Sequence, residues 1–229
     1  MRKILLAALV SLVGNASFAQ DKNETIEGNG KVVTRVVTVS SFDALKASGL
    51  FELKLSQGST ESMKIEADEN LLEYFTVKKE GSKLVIDMDK LKNKNSGQLR
   101  LKVYVTFRHL KTIDLNTLGD VKSEGSLSFD DLKISKNGVG NLDLKLTANK
   151  IALNNEGVGN VTLSGKAQNA VFHHEGVGSL NAGDFAVQTV DIKNTGVGSA
   201  EVNAEKKLKA EDSFTGKIKN HGAALKKNY

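Results

Sequence analysis

Two glutamates and two histidines lie beside a recurring Gly-Val-Gly sequence and are the residues best suited to chemistry. Glu156 and Glu175 each directly precede one copy. If neighbouring copies stack at the strand spacing of about 4.8 Å, the two carboxylates would lie close enough to bind a cation. Such a pair can also raise the pKa of one member for general acid catalysis. A catalytic pair further needs walls that exclude water, and no copy carries an insertion long enough to build a cleft.

His173 and His174 are adjacent, and neighbouring residues of a strand point to opposite faces. The two imidazoles are therefore poorly placed to chelate one ion. His109 and His221 lie outside this repeat and add no ligand spacing. We predict no metal site, and we expect the histidine pair to be exposed polar side chains on an outer face.

The glycines themselves favour turns over ligand binding. A phosphate cradle needs a strand, a glycine loop and the start of a helix, and no helical pattern follows any copy. The pattern also differs from the calcium-binding GGxGxD repeat. No cofactor is predicted. The polar residue after each second glycine is expected to hydrogen-bond nearby backbone. The predicted structural turn glycines are Gly138, Gly140, Gly157, Gly159, Gly176, Gly178, Gly196 and Gly198.

The four copies of the Gly-Val-Gly sequence follow one another along the chain with steps of 19, 19 and 20 residues. Within each repeat, apolar residues alternate with polar ones on both sides of the glycines, which is the period of a strand. Repeats of this length are typical of stacked solenoids. The sequence predicts an all-β fold, a single-stranded right-handed parallel β-helix with coils of about 19–20 residues. We expect the apolar columns to form one core, with Val158 and Val177 of the Gly-Val-Gly corners inside it.

The first 19 residues have the pattern of a secretory signal peptide. Arg2 and Lys3 precede a short apolar stretch, and Ser17-Phe18-Ala19 supplies a cleavage site. Export would place the protein in the periplasm, on the outer surface or outside the cell. No later apolar run is long enough for a transmembrane segment. The chain contains no cysteine, so we expect neither disulfides nor attachment of lipid to an N-terminal cysteine.

The net charge of +5 falls to about +3 without the signal peptide, which is too weak and scattered for a nucleic-acid binder. After residues 1–19 we predict a flexible segment at 20–31, one β domain at 32–222 and a tail at 223–229. Within the domain, 32–107 is a more irregular β-rich half and 108–222 forms the coils. Gln57-Gly58-Ser59 and Glu80-Gly81-Ser82 are predicted tight turns, and we expect some of the strands that they join to be hairpin partners. Residues 68–74 are a predicted helical turn.

The order of these motifs resembles a known family. SFDALKASGLFELKLSQG is followed by KLVIDMD, by a V-x-V-T strand before HLKTIDLNTLGDV, and then by coils of the form G-x-G-N/S. This is similar to the putative auto-transporter adhesin, head GIN domain, family of exported bacterial proteins. Phe107-Arg108 departs from the family, whose members often have a proline there. The resemblance implies a β-helical fold and a cell-envelope or surface location, and it supplies no binding or catalytic residues.

Our leading hypothesis is a non-enzymatic, adhesin-like module that presents a repetitive polar face to polysaccharide or another cell-surface component. The alternatives are a polysaccharide lyase or hydrolase on a β-helix scaffold, which fold analogy alone supports, and a purely structural envelope component. The C-terminal lysines would either guard an open sheet edge or meet an anionic surface. The sequence predicts no oligomeric state. The candidate ligand face is Asp143, Thr162, Asn181 and Glu201.

Overall fold

The computed structural model describes residues 25–88, 95–96 and 99–228. The predicted signal peptide and most of residues 90–97, a basic and polar stretch that the sequence predicts to be a loop, lie outside the described residues. The described chain is nearly all β, and its C-terminal part is a parallel β-solenoid of about five turns, so the predicted fold is confirmed. A 3-10 helix occupies Glu69–Tyr74, where a helical turn was predicted.

The strands in the N-terminal half are short, whereas those of the solenoid are long and bend around its corners. The N-terminal strands are β1 Thr25–Ile26, β2 Val32–Val37, β3 Ala44–Gly49, β4 Glu52–Gln57, β5 Ser62–Asp68, β6 Thr76–Glu80, β7 Lys83–Asp87, β8 Asn95–Ser96, β9 Lys102–Phe107 and β10 Thr112–Thr117. The solenoid strands are β11 Val121–Lys136, β12 Leu142–Asn155, β13 Val161–His174, β14 Leu180–Asn194 and β15 Ala200–Asp212, followed by β16 Ile218–Asn220 and β17 Lys226–Asn228.

Successive coils pair in parallel and in register along both sides of the glycine corner. Leu142 pairs with Val161, which pairs with Leu180, which pairs with Ala200. The same residues are buried, so like side chains stack on like through the length of the solenoid. The apolar columns thus form one continuous core, which the alternation of apolar and polar residues predicts.

The valines of the Gly-Val-Gly corners form parallel bridges from coil to coil but point outwards. Val158 is 46% exposed and Val177 51% exposed, so the expectation that they belong to the core was wrong. The alternation of side chains continues without a break through the corner, which turns the glycines inwards and the valines outwards. The space inside the corner is filled by other side chains, among them the fully buried Asn155 and His174.

The corner requires glycine because one coil approaches the next too closely for a β-carbon. A β-carbon on Gly157 would lie 2.3 Å from the Gly138 carbonyl oxygen. Gly159 has the same constraint, with 2.4 Å to the Gly140 oxygen, and also a φ of +110°, which favours glycine. The corner is therefore held both by close backbone packing and by backbone conformation.

The N-terminal half extends the sheet of the solenoid in two rows of parallel strands, and antiparallel strands end both rows. In the first row β4 pairs in parallel with β9 and β11, and in the second β3 pairs in parallel with β7 and β10. The first row ends in antiparallel β5 and β2, and the second ends in antiparallel β6. β1, inside the 20–31 segment, pairs in parallel with β8.

Of the two predicted tight turns, one joins a hairpin and the other does not. The turn at Glu80-Gly81-Ser82 joins β6 and β7, which pair directly as a hairpin. The turn at Gln57-Gly58-Ser59 joins β4 and β5, which do not pair with each other, because β9 lies between them and pairs with both. The sequence around a turn does not reveal a third strand that enters from elsewhere in the chain.

Replacing Gly157 with alanine should destabilise the protein by about 3 kcal/mol, because the new methyl group would overlap a carbonyl that the stacked coil cannot move. The matched control is Gly81→Ala, at a φ of +61° with open space around it, which should cost about 1 kcal/mol from backbone strain alone. Denaturant unfolding of both variants measures the difference. A Gly157→Ala variant no less stable than Gly81→Ala would contradict the role of close coil packing.

Candidate functional site

Three outward columns of side chains lie next to one another at the Gly-Val-Gly corner and run along the solenoid axis. We call them together the corner surface. Its apolar column is Leu118, Val139, Val158, Val177 and Val197; its second column is Asn141, Asn160, Ser179 and Ser199; its third is Asp143, Thr162, Asn181 and Glu201.

The third column is the predicted ligand face, and the structure places its four residues in register on neighbouring coils. Asp143 pairs with Thr162, Thr162 with Asn181, and Asn181 with Glu201. Asp143 is exposed and the other three are half-buried. The Glu201 carboxylate accepts a bond from His221 Nε2 at 3.0 Å, which occupies one end of the column.

The second column is joined by hydrogen bonds from each coil to the one before it. The Asn160 N–H donates to Asn141 Oδ1 at 3.0 Å, and the Ser179 N–H donates to Asn160 Oδ1 at 2.9 Å. At the first coil, the Asn141 N–H donates to Asp120 Oδ1 at 2.9 Å. This hydrogen bond is the chief reason that the pKa of the Asp120 carboxyl is lowered. These side chains keep the corner strands in register while their outer atoms face solvent.

The apolar column is a row of five aliphatic side chains, each about half exposed. At the strand spacing its five rungs span about 19 Å. Sequence reasoning missed this row because it treated the valines as core. The strict alternation through the corner is the signal that identifies it, since the valines are one residue out of phase with the buried columns.

A second row, of buried polar side chains, lies inside the same corner and was also missed. Its members are Thr117, Lys136, Asn155, His174 and Asn194. Each stands two residues after a buried residue such as Ile134, Leu153 or Phe172, so the same alternation turns it inwards. The expectation that both histidines of the pair are exposed was therefore wrong for His174, whereas His173 is exposed.

The buried polar row satisfies backbone carbonyls that the tight corner directs inwards. Lys136 Nζ donates to the Val158 oxygen at 3.0 Å, and Asn194 Nδ2 donates to the Gly198 oxygen at 3.1 Å. His174 Nε2 donates to the Gly178 oxygen at 2.9 Å, so its Nδ1 accepts from Asn155 Nδ2 at 2.8 Å. An unpaired carbonyl in this position would cost about 1–3 kcal/mol, so the row stabilises the turns.

Burial makes the charged forms of two members unfavourable. It lowers the pKa of the Lys136 ammonium. Burial is also the main cause that lowers the pKa of His174. The nearby Lys136 ammonium lowers this pKa further, whereas the hydrogen bond to the Gly178 carbonyl raises it. The neutral imidazole is the form that both of its hydrogen bonds require.

The two glutamates that suggested catalysis lie in the open at the corner. Glu156 and Glu175 are both exposed, and Glu156 accepts a bond from Asn154 Nδ2 at 2.7 Å. Both carboxylates are therefore open to water. Across the described ranges, no group of three or more histidine, cysteine, aspartate or glutamate residues is placed to hold a metal ion.

A family model described as "Putative auto-transporter adhesin, head GIN domain" matches residues 41–224. No curated protein matches the chain. Among solved structures, a putative adhesin from Bacteroides fragilis is 28% identical, covers 89% of this chain and 100% of its own, and has a TM-score of 0.76.

Two solved structures from Parabacteroides distasonis share the fold at lower identity. One, a putative adhesin, is 20% identical, with a TM-score of 0.64 over 90% of this chain and 96% of its own. The other, a putative lipid binding protein, is 18% identical, with a TM-score of 0.63 over 89% of this chain and 100% of its own. These descriptions are of adhesins and a lipid-binding protein, not of enzymes. In the part of the chain that the structure describes, no helix has the length and apolar character to cross a membrane.

The pH dependence of stability should report the buried imidazole. Because the pKa of folded His174 is lowered, its contribution is fully present above the unfolded value of about 6.5 and is lost as pH falls through and below it. The slope of the unfolding free energy against pH should reach at most about 1.4 kcal/mol per pH unit. His174→Asn should flatten this slope, because asparagine does not titrate. Asparagine can also keep the hydrogen bond to the corner carbonyl, since Asn194 makes the equivalent bond one coil later.

The measurement is denaturant unfolding of wild type and His174→Asn between pH 5 and pH 8. His173→Asn is the matched control, since it removes an imidazole from the outer face of the same strand. The assignment is wrong if the control flattens the curve as much as His174→Asn does.

Proposed function

The chain belongs to the putative auto-transporter adhesin, head GIN domain, family, and from this premise we propose that it is an exported, non-enzymatic binding module of the cell surface. Its ligand is a polysaccharide that lies along the corner surface, parallel to the solenoid axis. The single observation that carries the proposal is the register of the outward columns, which repeat from coil to coil without interruption.

A surface of this kind suits a polymer better than a small ligand. Each coil offers a similar set of groups one rung further along, so a chain molecule gains one weak contact per coil. Once the first contact forms, each later one is intramolecular, and weak contacts add up to useful affinity. A rigid solenoid holds the groups in place beforehand, which avoids the cost of ordering them on binding.

The chemistry of the columns fits sugar hydroxyls. Carboxylates, amides and hydroxyls at Asp143, Thr162 and Asn181 provide both hydrogen-bond donors and acceptors. The row of valines beside them provides apolar contact for the C–H groups of sugar rings. Cleavage of the polymer has less support, because Glu156 and Glu175 stand on an open corner where water is not excluded.

Retention on a glycan array tests the proposal. The protein should bind at least one class of polysaccharide without releasing products. Replacing Asp143, Thr162 and Asn181 together with alanine should weaken binding by about tenfold or more, since three polar contacts are removed. The matched control replaces Asp131, Lys150 and Asn169 with alanine, an exposed column on the same coils that stands eight residues before the valines.

Equal loss in the control variant, or no retention on any glycan, would remove the support for this function. Release of sugar products that Glu156→Gln or Glu175→Gln abolishes would instead establish the enzymatic alternative.

A further inference from the structure

The apolar column of the corner surface is the feature least expected of a soluble protein. Exposed aliphatic residues are usually scattered, whereas here five follow one another in a straight row. Their β-bridges are formed by backbone atoms, and about half of each side chain remains exposed. A contiguous exposed apolar row of this kind is typical of a surface that contacts a partner.

The charge beside the four valines differs from that of the chain as a whole. The chain carries a net charge of +5, yet twelve outward positions flanking the four valines carry four carboxylates and no lysine or arginine. Lys122 and Lys219 stand in register at the two ends of the third column, beside Asp143 and Glu201. The twelve positions are Asn137, Glu156, Glu175 and Thr195 on one side, and the second and third columns on the other. A surface with this charge selects a cationic partner.

Two lysines near this surface form ion pairs with other acids. Lys193 pairs with Glu211 at 2.9 Å, and Lys122 pairs with Asp120 at 3.4 Å. The pKa of Lys193 is raised chiefly by Glu211 and also by the Glu175 carboxylate. Among the described residues, Glu201 is the one acid of the four within ion-pair distance of a basic group, that of His221. Glu156 and Glu175 occupy equivalent exposed positions on neighbouring coils, so they offer paired negative charge directly beside Val158 and Val177.

The spacing of the valines along the solenoid favours a sugar polymer over an extended peptide as the ligand. An extended peptide repeats on one face every 6.8 Å or so, which does not match rungs about 4.8 Å apart. A sugar unit in an extended β-linked chain is about as long as one rung. Such a chain places one ring against each valine. Successive β-1,4-linked rings are turned over, so their amino groups alternate between the side of Glu156 and Glu175 and the side of the polar columns, where Asp143 and Glu201 supply carboxylates.

From these observations we infer that the corner surface binds a linear amino-sugar polymer with free ammonium groups. The apolar row contacts the C–H faces of the rings, and carboxylates on both sides of it, Glu156 and Glu175 on one and Asp143 on the other, pair with the ammonium groups. This inference rests on the proposed function and names the class of its ligand.

The test measures binding of a glucosamine hexamer, with the N-acetylated hexamer and poly-lysine as comparison ligands, by calorimetry at low and at physiological salt. The glucosamine hexamer should bind about tenfold more tightly than the N-acetylated one at low salt, and this preference should shrink as salt rises. Val158→Ser with Val177→Ser should weaken binding of both hexamers by about tenfold. Glu156→Gln with Glu175→Gln should reduce the preference for free ammonium groups.

Matched controls come from the same chain. Val36→Ser changes a valine that is 72% exposed on β2, away from the corner, and Glu73→Gln changes an exposed glutamate of the 3-10 helix. Neither should change the affinity. All the substituted side chains are exposed, so thermal unfolding should confirm that each variant folds.

The outcomes separate this inference from the proposed function. If the serine variants bind the glucosamine hexamer as wild type does, or if poly-lysine binds equally well regardless of the valines, the inference is overturned. If the protein binds other glycans through Asp143, Thr162 and Asn181 but not amino sugars, the inference fails and the proposed function stands. If no glycan binds at all, both fail.

Discussion

Close stacking of the backbone at the Gly-Val-Gly corner is the constraint on which the rest of this structure depends. The corner brings a carbonyl of one coil within 2.3 Å of where a β-carbon of the next would lie. Only glycine tolerates that approach, and the repeat of glycine pairs therefore sets the repeat of the coil. Parallel pairing on both sides of the corner follows, and with it the stacking of like residues into columns.

The tight corner has a cost inside the solenoid, because it directs carbonyls into a space without water. Lys136, His174 and Asn194 reach those carbonyls with their side chains. The chain uses three different residue types for one task, which shows that the requirement is a hydrogen-bond donor of suitable length, with no particular side chain demanded. Because these positions are buried, the charged form of a lysine or histidine there is unfavourable unless the charge is compensated.

On the outside of the corner the same stacking produces a surface of parallel columns of side chains. Columns that are apolar, amide-rich and acidic run side by side along the axis, since a residue type that recurs in sequence must recur one rung further along in space. The proposed function places binding in these columns. An adhesin-like surface protein with this geometry would recognise the repeat of its ligand as much as the chemistry of a single unit.

The sequence by itself determined the solenoid, the length of its coils and the buried aliphatic columns, because alternation and a fixed repeat are local properties. It also contained the outward direction of Val158 and the inward direction of His174, but these appear only if the alternation is carried through the turn. The tertiary structure alone decided that β9 enters between β4 and β5, since strand order depends on partners distant in the chain. It alone also matched Asn155 to His174, because a hydrogen bond between coils depends on the packing that brings them into contact.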